Sequence, residues 1–204
     1  MISLIEAKRK SEDVRRDAQA LLSAFKIPEM LGKFGTVFLT GSFMHGTMLK
    51  PDIDVHVYND DILFEPIADF LRGLISRPEV RRLTFNNRMN KGRDSEKYGI
   101  YLKVKYLFND RNWNVDIHFV LDKYRHILEA HEKEWAELSQ EKKDLIILLK
   151  AQLAEQNLYP ASPLNKNSFY SKEIFDAVRN DGVQKIEDLS DWRKTHPFPE
   201  AHFE

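Results

Sequence analysis

Hydrophobic positions along the chain switch between two periods. Leu4, Ile5, Val14, Ala18, Leu21, Leu22 and Phe25 recur near helical spacing, which predicts one amphipathic helix over about the first 25 residues, ended by Pro28 and Gly32. The run TVFLT (36–40) is β-branched and apolar and stops at Gly41, as a buried strand does. DIDVHVY (52–58) then alternates strictly, with Ile53, Val55 and Val57 on one face and Asp52, Asp54 and His56 on the other. Helical spacing returns over 62–76, where Pro66 is tolerated in the first turn.

The basic stretch 81–97 shows no period and reads as an irregular loop. Two alternating runs follow, GIYLKVKYLF (99–108) and NVDIHFV (114–120), joined by the turn formers NDRNW, which predicts an antiparallel hairpin. Ile100, Leu102 and Val104 oppose Tyr101, Lys103 and Lys105; Val115, Ile117 and Phe119 oppose Asn114, Asp116 and His118. From Leu121 onward the pattern is helical: about 122–138, about 140–156 with Ser139 as N-cap, a YPASP linker, and a final helical pair split at Asn180-Asp181-Gly182.

Three strands with one apolar and one polar face each predict an α/β (α+β) fold. It has a small mixed β-sheet with one helix-covered face and one open face, and a helical C-terminal region. The expected segments are an N-terminal helix (1–29), a catalytic domain (30–121) and the helical region (122–204).

Composition narrows the function without naming it. The 204 residues carry a net charge of -1, so there is no global field to gather nucleic acid or an anionic membrane. Cysteine is absent, which excludes disulfides, thiolate metal sites and a cysteine nucleophile. The N-terminus is too charged for a signal peptide, and no apolar run approaches the roughly 20 residues of a membrane span. The expectation is a soluble, cytoplasmic protein with no membrane partner.

The polar face collects Asp52, Asp54 and Asp116, whose charges repel unless a cation lies among them. Carboxylate oxygens suit Mg2+, with Mn2+ as an alternative, and the metal's coordination is completed by water and substrate phosphate. Two ions about 3.5 to 4 Å apart would clamp the attacking and leaving oxygens of a displacement at phosphorus. Gly41-Ser42, between a buried strand and a short helix, offers backbone N–H groups and a hydroxyl to a polyphosphate.

Gly41-Ser42, then Asp52-Ile53-Asp54-Val55, then Asp116 in an alternating strand together resemble the signature of the polymerase β-like nucleotidyltransferase superfamily. The resemblance covers roughly residues 30–121. In length the chain is more similar to the minimal and antibiotic-modifying branches than to template-directed polymerases. The resemblance implies a nucleotidyltransferase fold and transfer of a nucleoside monophosphate from a nucleoside triphosphate to a hydroxyl-bearing acceptor, with loss of pyrophosphate. Asp52 and Asp54 would bind both metals, and Asp116 would complete one site and help activate the hydroxyl. Gly41 and Ser42 would grip the β and γ phosphates.

Lys103 and Lys105 share the acids' face and are candidates for neutralising the triphosphate or acceptor. His56 and His118 read as polar strand residues beside the cleft, with a metal ligand or base as the alternative, and His45 as either a phosphate or a local turn contact. Arg81, Arg82, Arg88, Lys91, Arg93 and Lys97 read as a solvated loop, with a grip on tRNA or another anionic acceptor as the alternative. Ile174, Phe175 and Trp192 read as packing residues. A small-molecule acceptor is favoured. The competing readings are a protein or tRNA acceptor, as in superfamily members paired with antitoxins, and a non-catalytic nucleotide-binding regulator.

Overall fold

The structure, a computed structural model, describes residues 1–89, 99–162 and 164–196. The chain forms two compact units that interleave along the sequence. One comprises residues 14–45 and 51–137, the other 1–13, 46–50 and 138–204.

The first unit is built on a five-stranded sheet. Its strands are β1 (Thr36–Thr40), β2 (Asp52–Asn59), β3 (Val80–Asn87), β4 (Ile100–Phe108) and β5 (Arg111–Leu121), in the spatial order β1-β2-β5-β4-β3. Only the central β2–β5 pair is parallel. The predicted hairpin is β4–β5, and its link is tighter than expected. Asn109 and Asp110 alone make the turn, both in the left-handed region (φ 50 and 56), so Arg111 already pairs with Phe108. This is the two-residue turn whose twist matches that of the flanking strands.

Alternation decides which face is buried. Ile53, Val55, Ile100, Leu102, Val104 and Val115 are fully buried, while Asp54, His56, Tyr101, Lys103, Lys105 and Asp116 keep partial exposure. Helix α1 (Leu4–Phe25) and helix α4 (Phe64–Ile75) contribute buried Leu21, Leu22, Ile67 and Leu74 to this unit. The Phe25 ring stacks on Tyr106 of β4 at 4.9 Å, and Phe34 meets Phe119 of β5 edge-on at 5.6 Å.

Two elements depart from the sequence reading. Lys26 adopts a left-handed conformation (φ 51) and breaks α1 two residues before Pro28. That proline opens a new short helix, α2 (Ile27–Leu31), which Gly32 closes. The second departure is β3, in a stretch whose irregular pattern predicts a loop. Its burial does not alternate, because it is an edge strand paired only to β4, and Arg81 and Arg82 are exposed on it. Charge on an edge strand erases the period-two signal and also discourages edge-to-edge pairing with other chains. Lys91, Arg93 and Lys97 lie outside the described residues.

The second unit is helical. Helix α6 (Gln140–Glu155) begins at Ser139, whose side chain accepts a hydrogen bond from the Lys142 amide at 3.3 Å, as predicted for an N-cap. It packs with α7 (Ser171–Asn180) and α8 (Ile186–Thr195), and Ile147 and Ala151 cluster with Ile2 and Ala7. Two buried charges are satisfied within this unit. Lys150 donates to the Thr47 carbonyl at 3.1 Å, and Arg193 pairs with both oxygens of Glu173 at 2.8 Å. Ile174 and Phe175 are fully buried, as packing residues should be.

Candidate active site

Cross-strand register arranges the polar face of the sheet in rows. Asp52, Asn114 and Lys105 form one row across β2, β5 and β4; Asp54, Asp116 and Lys103 form the next, with Thr40 of β1 beside Asp54. His56, His118 and Tyr101 form the third row, and Tyr58 with Val120 the fourth. Strand parity therefore puts all these side chains on one face.

The first two rows bring the three acids together. Each offers a carboxylate oxygen, and these oxygens lie within 4.8 Å of one another. Two unit charges that close repel by roughly 3 kcal/mol at an effective dielectric near 20. Lys103 relieves part of this, with its ammonium 3.2 Å from Asp116. Three converging hard oxygen donors are a set that fits Mg2+ or Mn2+. Lys105 lies two strands from Asp52 in the outer row, facing Asn114.

Gly41 explains how Asp54 comes so close to the β1–α3 turn. It opens helix α3 (Gly41–His45) at φ +67, and a Cβ placed there would collide with the Asp54 carboxylate. Sequence reasoning assigned the glycine to close approach of a phosphate; in the structure the group against it is the carboxylate itself. Ser42 follows on α3. Arg15 fixes this helix from α1, donating to the Phe43 carbonyl at 3.2 Å. His45 turns the other way. It stacks on Trp135 at 4.3 Å with its Nε2 3.3 Å from Glu132, a long-range contact with residues 125–136 and not the local turn contact the sequence suggested.

The third and fourth rows are chemically different. His56 and His118 stack at 4.7 Å, Tyr101 lies 5.0 Å from His118, and His56 Nδ1 is 3.1 Å from the Tyr58 hydroxyl. Burial pushes His56 down to about 4 and His118 down to about 3, the latter with help from the neighbouring His56, Arg88 and Lys103 charges. Both imidazoles are therefore neutral at neutral pH. Burial pushes the Tyr101 phenol up, and Asp116, to which it donates a hydrogen bond, pushes it the same way.

Over these rows stands α5 (Arg125–Ala136), which follows a 3-10 turn at Asp122–Tyr124. The polar face is thus roofed by α5 beyond the acids. Between sheet and helix is a cleft of about 500 Å³. Thr40, Gly41 and Asp54 line one end; His56, Tyr58, His118 and Val120 lie on the sheet side, and Tyr124, Ile127, Leu128, His131 and Glu132 on the other. Strand parity flagged the sheet side. Nothing in the sequence places α5 over it, because helix packing is set by tertiary contacts.

No family model matches the sequence, and no curated protein matches it. Solved structures do. The non-canonical poly(A) polymerase complex GLD-2–GLD-3 aligns over 97% of this chain and 64% of that one, with TM-score 0.53 and 15% identity. The Cid1 poly(U) polymerase aligns over 86% and 55%, with TM-score 0.54 and 18% identity. A cytoplasmic RNA terminal U-transferase aligns over 82% and 51%, with TM-score 0.51 and 17% identity. The chain shares the fold of these structures. It spans between about half and two thirds of the length of these nucleotidyltransferase structures. Among the described residues no helix is long and apolar enough to cross a membrane.

Proposed function

We propose that the protein is a divalent-metal-dependent nucleotidyltransferase that moves a nucleoside monophosphate from a nucleoside triphosphate to a hydroxyl-bearing acceptor. The observation that carries this reading is the convergence of Asp52, Asp54 and Asp116 within 4.8 Å, on a sheet of this fold. Asp52 and Asp54 would hold Mg2+ or Mn2+ jointly, and Asp116 would complete the donor set. When bound, the ions supply charge neutralisation and polarisation at the transferring phosphorus.

The chain's own residues do the rest. Gly41 and Ser42 hold the outer phosphates of the donor, and Lys103 keeps Asp116 oriented through their 3.2 Å contact. Asp116 takes the proton of the acceptor hydroxyl as its oxygen bonds to the α phosphorus. The bond from that phosphorus to the bridging oxygen breaks, and pyrophosphate leaves. Lys105, one row out, is placed to attract anionic substrate at longer range.

A small-molecule acceptor is the first reading. An RNA end is the second, favoured by the likeness to the poly(A) and poly(U) polymerases. Incubation with each α-labelled nucleoside triphosphate, Mg2+, and separate small-molecule and RNA fractions of a cell extract tests both. Label should move to an acceptor and pyrophosphate should appear. Tight triphosphate binding with label on nothing would instead make the chain a nucleotide-binding regulator.

A further inference from the structure

The cleft beside the acids has a chemistry of its own. It is about 500 Å³, within the usual range for small-molecule sites, and its walls are mainly carbon. Among the described residues no lysine or arginine lines it; His131 is on the roof beside Glu132, and Asp54 stands at one end, so the fixed carboxylates oppose a further anion. His56 and His118 stack at 4.7 Å, and since the Tyr58 hydroxyl engages His56 Nδ1 at 3.1 Å, the nitrogens left to an occupant are His56 Nε2 and those of His118. Opposite lie Ile127 and Leu128, and Ile127 is 49% exposed although it is large and apolar.

We infer that this cleft binds the acceptor, and that the acceptor is an uncharged heteroaromatic compound bearing a hydroxyl, with an apolar body between the aliphatic side chains and a hydrogen-bonding edge on the imidazoles. The inference rests on the proposed transfer reaction for the word acceptor, and on the cleft alone for the class of compound. Asp54 is shared by the cleft and the acid cluster, so a hydroxyl at that end reaches the reacting phosphorus. The carboxylates of Asp54 and Glu132 on the cleft's lining disfavour a polyanion such as an RNA strand inside it.

The test uses adenosine, guanosine, cytidine and uridine as probes, each against its own 5′-monophosphate, by calorimetry on the full chain without metal or triphosphate. At least one nucleoside should bind, and its monophosphate should bind at least tenfold more weakly. Leu128→Trp, a half-exposed position where bulk fills the cleft, should weaken nucleoside binding at least tenfold with an unchanged melting temperature. Ile127→Ser, which removes apolar wall without adding bulk, provides a second reading if the tryptophan variant fails to fold. Equal or tighter binding of the monophosphate would overturn the inference in favour of an RNA end. Absence of binding by every nucleoside, or indifference to both wall variants, would overturn it outright. Asp52→Asn, outside the cleft, separates the two levels: it should abolish transfer and leave nucleoside binding intact.

Discussion

The two halves of the sheet's polar face are built from the same strands and differ by one row of residues. At Asp52, Asp54 and Asp116 the face is charged, and its carboxylates are held within 4.8 Å of one another. One step along, at His56 and His118, it is neutral, aromatic and roofed by α5. The difference teaches that parity assigns a side chain to a face, whereas its protonation and role depend on what covers that face. A cluster of carboxylates attracts cations; a covered imidazole pair expels protons.

The acid half should break most completely. Asp54→Asn is expected to lower nucleotide transfer at least about a hundredfold while circular dichroism stays that of the parent, because charge stabilisation at phosphorus is worth several kcal/mol. Turnover within a few fold of the parent would remove Asp54 from the chemistry.

The imidazole half should show itself in acid. An unfolded imidazole titrates near 6.5, and the folded pair titrates below it, so the unfolded chain binds more protons in between. Stability is therefore unaffected above about pH 6.5 and falls as pH drops from there toward about 4 for His56 and about 3 for His118. Urea titrations at pH 7 and pH 5 should show His118→Gln losing less stability than the parent between these values, by on the order of 2 kcal/mol. Parallel losses in both proteins would mean that the imidazoles are solvated.

Gly41→Ala acts at the junction of the halves. A left-handed alanine costs about 1 to 2 kcal/mol, and its methyl group must displace the Asp54 carboxylate. Thermal melts should show that loss, and transfer should fall about tenfold further than stability explains. An alanine variant with lost stability and normal transfer would make Gly41 a turn residue only.

The smallest effect is the most diagnostic of a metal site. Without metal, Asp52→Asn should match the parent or exceed it by about 0.5 kcal/mol, because like-charge repulsion is relieved and the Lys103–Asp116 contact already offsets part of it. Mg2+ with a triphosphate should reverse the ranking by binding only the native parent tightly. Destabilisation of Asp52→Asn in both buffers would mark Asp52 as structural.

Much of this was legible in the chain. Strict alternation located β2, β4 and β5, and with them the shared face of Asp52, Asp54, Lys103 and Asp116, because a period of two leaves no freedom of face. The edge strand β3 was not legible, since its exposed arginines break the alternation that burial would impose. Gly41 was legible as a position of close approach, but the approaching group was not, because the Asp54 contact depends on a chain reversal between β1 and β2. The roof over His56 and His118 left no local trace. Ile127 and Leu128 look like the apolar stripe of any amphipathic helix until the sheet beneath them is known.

The parallel pairing of β2 with β5 divides the sheet into two pieces that can zip up separately, β1 with β2 and β3 through β5, each joined by antiparallel neighbours. Asp52 and Asp54 ride on one piece, Asp116 and Lys103 on the other. Only the seam, which must close over the whole of α4, β3 and β4, unites them, and long closures of this kind are the slow ones. Neither piece alone carries all three acids, so a nascent or half-folded chain holds divalent ions more weakly than the closed sheet does. Stopped-flow refolding should show Mg2+ with triphosphate slowing unfolding while leaving the early folding phase untouched, and acceleration of that early phase would mean that the seam closes first.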